Sequence, residues 1–252
     1  MWRGDYLYLI QNLVVKDFKI RYRNMSLGVL WSLLNPLVMM AVYYFVFTKI
    51  FTDSPPNYPL FLLCGMVPFS FFTVALSTGT TSIVDNAGLI KRVPVPREVV
   101  PITTVLACCI HLAVQVLLLL AIGIFTKGVN RYWFWLPAVW ALEILFVCGL
   151  ALLTTALNVF IRDIRYVVES ATWVLLFLVP VFYDSNRIPM KYRPIYEINP
   201  IAATVISLRK IIYESQPPVG GTLWRLLAVS VTIFLIGWLV FRRLKPMFYE
   251  HI

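Results

Sequence analysis

Three stretches of this chain carry no Asp, Glu, Lys or Arg: Ser26–Thr48, Leu60–Val84 and Val99–Thr126, the last broken only by His111. Each exceeds the roughly 20 residues needed to cross the hydrocarbon of a bilayer at about 1.5 Å rise per residue. Followed along the chain, the pattern predicts spans near 27–49, 60–84, 99–126, 133–160, 167–183 and 222–241. Pro36 falls inside the first, where neighbouring helices can absorb a proline. Ahead of it, Leu7, Ile10, Val14 and Phe18 recur at helical spacing with Leu13 beside them. Lys16, Lys19 and Arg23 follow a similar spacing on another face. That arrangement predicts an amphipathic helix within 1–25 lying in the membrane interface, where Lys16, Lys19, Arg21 and Arg23 could meet lipid headgroups.

Between the fifth and sixth spans the pattern changes. Residues 184–221 are mixed, and their one apolar run, Ile198–Leu208, has 11 residues. It is too short to cross and fits a re-entrant or interfacial segment, with Asn199-Pro200 breaking the chain at its start. The expected fold is an all-α membrane protein. It comprises an interfacial helix (1–25), spans one to five (26–183), an external re-entrant segment (184–221), span six (222–241) and a tail (242–252).

Composition agrees with that reading and narrows it. The chain is 60% hydrophobic and 13% charged, against roughly 45–50% and 25% in soluble domains. A net charge of +10 could attract nucleic acid, but no recognition fold is present. Basic loops against anionic lipid explain it better. With both termini inside, the predicted inner segments hold 13 Lys and Arg and the outer ones 8, a modest positive-inside bias that places the termini in the cytoplasm. Cys64, Cys108, Cys109 and Cys148 lie in apolar runs without metal or redox spacing, as small core residues do. The first apolar run is interrupted by Lys16, Asp17, Lys19, Arg21 and Arg23, unlike a signal peptide.

Catalytic and nucleotide-binding signatures are absent from the sequence. There is no G-x-x-x-x-G-K-[ST] loop, no H-E-x-x-H and no G-x-S-x-G. His111 and Glu143 are ionisable groups within spans, costly there and therefore candidates for function. Their depths differ by roughly 7 Å at helical rise, a poor match for a proton relay. Aromatics concentrate in span one (Tyr43, Tyr44, Phe45, Phe47) and span five (Phe177, Phe182, Tyr183). Sugar faces stack on such rings, which makes Tyr43, Tyr44, Phe177 and Tyr183 candidates for a glycan pore; plain packing remains the alternative for each.

One polar segment is fixed at both ends by spans. Asp85–Glu98 reads DNAGLIKRVPVPRE. Asn86–Val93 is long enough for about two helical turns, and Pro94 and Pro96 stiffen its exit. Leu89, Ile90 and Val93 are expected to form an apolar knob rimmed by Lys91, Arg92 and Arg97, the usual build of a docking patch. The link Ile161–Tyr166, with Arg162 and Asp163, offers a second, smaller contact. The tail beyond Phe241 is short and free at one end.

These motifs together resemble a known family. Asp17-x-Lys19-x-Arg21-Tyr22 and Leu27-Gly28-x-Leu30-Trp31-x-Leu33-x-x-Pro36 look like the start of type-2 ABC exporter permeases, specifically those exporting O-antigen, teichoic acid and capsular polysaccharide. Lys91-Arg92-x-Pro94-x-Pro96-Arg97-Glu98-x-x-Pro101 resembles the first cytoplasmic loop of that family, and Arg162-Asp163-Ile164 the second. Pro180-Val181-Phe182-Tyr183, Tyr196-x-x-Asn199-Pro200 and Arg209 resemble its fifth span and re-entrant segment. The resemblance implies a homodimer of permeases in the bacterial inner membrane and two ATPase subunits that hold ATP and Mg, with no cofactor on this chain. It also implies a lipid-linked glycan as cargo. A drug or lipid exporter permease of similar topology is the neighbouring alternative. A proton-coupled carrier using His111 and Glu143 would favour an internal repeat, which is not visible, and an intramembrane enzyme would need a paired catalytic constellation.

Overall fold

The computed structural model describes residues 5–22, 28–50, 55–92, 95–184, 189, 191–192, 196 and 198–251. Among them every regular element is helical. In chain order these are α1 (Tyr6–Tyr22), α2 (Trp31–Phe45), α3 (Tyr58–Asp85), α4 (Ala87–Arg92), α5 (Val99–Lys127) and α6 (Leu136–Phe160). They are followed by α7 (Ile164–Leu178), α8 (Pro200–Leu208), α9 (Gly220–Leu244) and the single turn α10 (Phe248–His251). Helix α2 is entered through a 3-10 turn and leaves through a wider π turn, Val46–Ile50; another π turn, Arg209–Tyr213, extends α8.

Among the described residues, four helical stretches are long and apolar enough to cross a membrane: Tyr58–Arg92, Val99–Lys127, Arg131–Phe160 and Gly220–Met247. Over the first expected span, 27–49, the chain is helical without a break at 28–50, α2 together with the turns on either side of it. The fifth comes out shorter. Helix α7 has 15 residues, about 22 Å of rise, below the ~30 Å of a hydrocarbon core. In α7 the cause is local: the helix stops at Leu178, ahead of Pro180, and 179–184 runs on without helix. Proline disfavours helical geometry in the residue before it, so the run of apolar residues outlasts the helix.

Helix α3 is the hub. It is buried along most of its length and packs on α2, α5, α6, α7 and α8. Where α3 meets α6 the side chains are small and hydroxylic. Gly79 lies against Ala151, the Thr80 and Thr154 hydroxyls are 2.8 Å apart, and Ser82 and Thr155 are 3.4 Å apart. Small residues allow close approach, and hydroxyls bond across the seam, in a solvent that offers helices no hydrophobic drive to associate. The tightest crossing joins α6 to α9. A Cβ on Gly149 would lie 2.5 Å from the Phe234 Cα, and one on Gly237 would overlap the Gly149 carbonyl oxygen. By contrast the outward faces of α2, α7 and α9 expose Val38, Val42, Phe45, Val167, Val174, Phe177, Leu235 and Leu239, the reverse of a soluble surface and the face an apolar solvent would wet.

The first helix packs on α5 rather than standing apart. Leu13 is buried, while Tyr6, Leu7, Tyr8, Val15 and Ile20 are exposed. Its polar groups also find partners in the bundle: the Thr104 hydroxyl donates to Asp17, and Lys16 donates to Asn86.

Candidate functional site

At one end of the bundle the chain leaving α7 is held by three carbonyl contacts. Arg209 Nη2 donates to the Val181 carbonyl (2.6 Å), Arg209 Nη1 to the Tyr183 carbonyl (3.0 Å), and the Tyr58 hydroxyl to the Phe182 carbonyl between them (3.1 Å). The guanidinium lies 3.6 Å from the centroid of Phe61 and is almost wholly buried. Its planar fork suits two neighbouring acceptors, and its flat face suits an aromatic ring. Gly65 makes the room: a Cβ there would sit 2.9 Å from the Val181 oxygen and 3.2 Å from Arg209 Nη2. Next to the clamp, Tyr213 donates to the Pro56 carbonyl (2.6 Å) and Asn130 to the Ile211 carbonyl (2.8 Å).

From this clamp a groove runs between α2, α3 and α7. One part of about 210 Å³ is walled by Pro36, Met39, Tyr43, Met66, Phe182 and Trp173. The adjoining part, about 350 Å³, is lined by Ser70, Thr73, Ser77, Glu169, Thr172 and Trp173. Phe69, Ser70, Trp173 and Leu176 belong to both. The result is an open trough, mostly apolar, with aromatic rings in its walls and the hydroxyls of Ser70, Thr73 and Ser77 on its α3 side. Sugar rings stack on aromatic faces and exchange hydrogen bonds with hydroxyls.

The four pore candidates separate here. Tyr43 lines the groove, its ring centroid 4.5 Å from that of Phe182. Tyr44 and Phe177 are exposed and line neither part. The Tyr183 hydroxyl bonds to the Phe177 carbonyl at 3.0 Å, helping to close the end of α7. Ser70, Thr73, Ser77, Glu169, Thr172 and Trp173 were not anticipated. The signal was present as serine and threonine three to four residues apart within an otherwise apolar run, which marks one polar stripe on a helix.

At the opposite end lie the two polar links. Helix α4 has one and a half turns, and its residues divide by exposure. Lys91 and Arg92 are exposed and Leu89 half-buried, but Ile90 is buried at 4%, in a cluster with Ile83, Val100, Phe241 and Phe248. This corrects the expected knob: Ile90 points into the bundle, against a buried cluster that draws Ile83 from α3 and Phe241 from α9. Val93 and Pro94 fall outside the described residues. Arg97 is also turned inward, donating to the Lys245 carbonyl and lying 4.2 Å over the Tyr249 ring. Asn86 takes the hydrogen bond from Lys16. Arg162 and Asp163 are exposed, with Arg162 donating to the His251 carbonyl at 3.1 Å. Lys19 is exposed, while the Arg21 side chain and Arg23 lie outside the described residues.

Glu143 is fully buried in α6, and neither carboxylate oxygen has a hydrogen-bond partner. His111 is half-buried on α5, and with both Glu143 oxygens unbonded no direct hydrogen bond joins the two. No group of three or more His, Cys, Asp or Glu among the described residues could hold a metal ion.

Against known proteins, the sequence pattern of the ABC-2 type transporter family matches residues 8–213. The chain belongs to this family. Individual members are similar over almost the whole length. An O-antigen export system permease protein of Klebsiella pneumoniae is 30% identical, covering 96% of this chain and 95% of that protein. Another protein of the same name from Myxococcus xanthus is 28% identical over 98% and 96%. The polysialic acid transport protein KpsM of Escherichia coli is 24% identical over 92% of each. The family match runs from α1 to the π turn after α8, and so takes in the groove, the clamp, α4 and the 161–163 link.

Proposed function

We propose that this chain is the channel-forming permease subunit of an ATP-driven exporter that moves a lipid-linked polysaccharide, of O-antigen or teichoic-acid type, across the bacterial cytoplasmic membrane. The near full-length likeness to O-antigen export permeases carries this reading. The groove supports it: a sliding polymer needs a long path with stacking faces and few fixed hydrogen bonds, and the α2–α3–α7 trough has that character. Trp173, which lines both parts of the trough, is exposed, and α2 and α7 also expose Val38, Val42 and Val174. A second copy meeting that face would close it into a channel on the dimer axis.

In this reading α2 and α7, with the chain around them, complete six spans. The 198–213 segment is re-entrant at the external side, and both termini are cytoplasmic. The ATPase subunits meet the end carrying α4 and 161–163, where Lys91, Arg92 and Arg162 are exposed. ATP and Mg stay on those subunits. Arg209 and Tyr58 hold the external mouth, fixing where α7 ends. The drug-exporter alternative lacks support from any similar protein described above.

The test uses a strain lacking the gene, scored for surface glycan and for lipid-linked polymer retained inside. Retention inside, relieved by the intact gene, is the expected result, with Trp173→Ala and Ser70→Leu rescuing poorly. Normal surface glycan in the deletion strain would refute the reading.

A further inference from the structure

The short tail after Phe241 is tied to several segments at the α4 end. Beyond α9 the chain turns through Lys245–Met247 into α10. Phe248 is fully buried, its ring centroid 5.3 Å from Phe241 of α9 and 5.9 Å from Phe160 of α6. On one flank Lys245 Nζ meets Glu98 at 2.6 Å, the Lys245 carbonyl accepts from Arg97, and Tyr249 lies under the Arg97 guanidinium. On the other flank Arg162 donates to the His251 carbonyl, and the His251 ring packs edge-on to Phe160 at 4.8 Å. Ile90 of α4 reaches the same apolar cluster as Phe248. One short segment therefore touches the 86–98 loop, the 160–163 link, α6 and α9.

We propose that residues 245–251 are a splint that joins the two ATPase-facing segments into one body and fixes that body to α6 and α9, so that movement of the ATPase is passed to the spans. This rests on the reading that the 86–98 loop meets the ATPase. The chemistry of the contacts points to positioning rather than to fold stability. The Lys245–Glu98 pair is partly exposed, 36% on the lysine and 25% on the glutamate, and such pairs add little to stability. What they do is set the angle of the loop exit, where Arg97 and Glu98 lead into α5. Phe248 supplies the anchor, and the polar contacts to left and right hold each link at a fixed distance from it. Without the splint, α4 would still reach its partner through Lys91 and Arg92, but the loop could swing relative to α6 and α9.

The experiment takes the whole exporter, permease with its ATPase, in native membranes, and measures ATPase co-purification, ATP hydrolysis and glycan exported per ATP. For Lys245→Glu, and for Phe248→Leu as the milder core change, the ATPase is expected to co-purify and hydrolyse while export per ATP falls several-fold. Pairing Lys245→Glu with Glu98→Lys is expected to restore export per ATP. Unchanged export per ATP in both single variants would overturn the splint. So would parallel loss of membrane level and ATPase binding, which would make the tail a folding element alone. The loop assignment has its own failure: if Lys91→Glu with Arg92→Glu leaves co-purification intact, the ATPase docks elsewhere, whatever the tail variants do.

Discussion

Replacing Arg209 with methionine probes the clamp at the end of α7. Methionine keeps much of the length and apolar volume but removes both donors, leaving the Val181 and Tyr183 carbonyls without the contacts at 2.6 and 3.0 Å. The Val181 oxygen is buried with its residue, and an unsatisfied buried acceptor costs about 1–3 kcal/mol. The Tyr183 carbonyl is on a half-buried residue and can recover part of its loss from solvent or headgroups. Losing the stacking over Phe61 adds about 1 kcal/mol. Against these stands relief from burying a cation, which offsets part of the loss. The net destabilisation expected is about 2–4 kcal/mol. At roughly 2–4 °C per kcal/mol for a chain of this size, the thermal midpoint should fall by roughly 5–15 °C. Intrinsic fluorescence during heating of the detergent-purified protein reads it, with Arg209→Lys beside it. Lysine retains the charge but lacks the fork and the flat face, so it should rescue little. A methionine variant within about 2 °C of the parent would refute the argument that this clamp holds the end of α7. Full rescue by lysine would show that charge alone matters.

Three further outcomes are expected. Gly237→Ala puts a Cβ onto the Gly149 carbonyl, and since backbone has to move, the cost should exceed the about 1–3 kcal/mol of ordinary overpacking and show as a severe fall in membrane level. Ile90→Asp buries a carboxylate among Ile83, Val100, Phe241 and Phe248 and should lower the amount of folded protein, whereas Lys91→Glu should leave it unchanged; equal yields would contradict the placement of α4. Trp173→Ala, at an exposed groove position, should slow export with almost no change in thermal midpoint, and an unchanged export rate would remove Trp173 from the path.

The run of apolar residues was enough to announce an all-helical membrane protein, because crossing hydrocarbon demands length and hydrophobicity that one can count. The family resemblance was likewise written in short motifs, such as Lys91-Arg92 and Arg162-Asp163-Ile164, that stand in order along the chain. Hydropathy overran the helix at α7, since apolar character says where a residue is tolerated and not where the backbone stops being helical. The pairing of distant groups was not legible at all. Arg209 with Val181 and Tyr183, Gly149 with Gly237, and Lys245 with Glu98 are each brought together by helix packing across long sequence separations. Ile90 and Phe248 look like surface residues of a loop and a tail, yet both are buried. Which face of a short helix turns inward depends on the neighbours that fold against it, and those neighbours exist only once the bundle has formed.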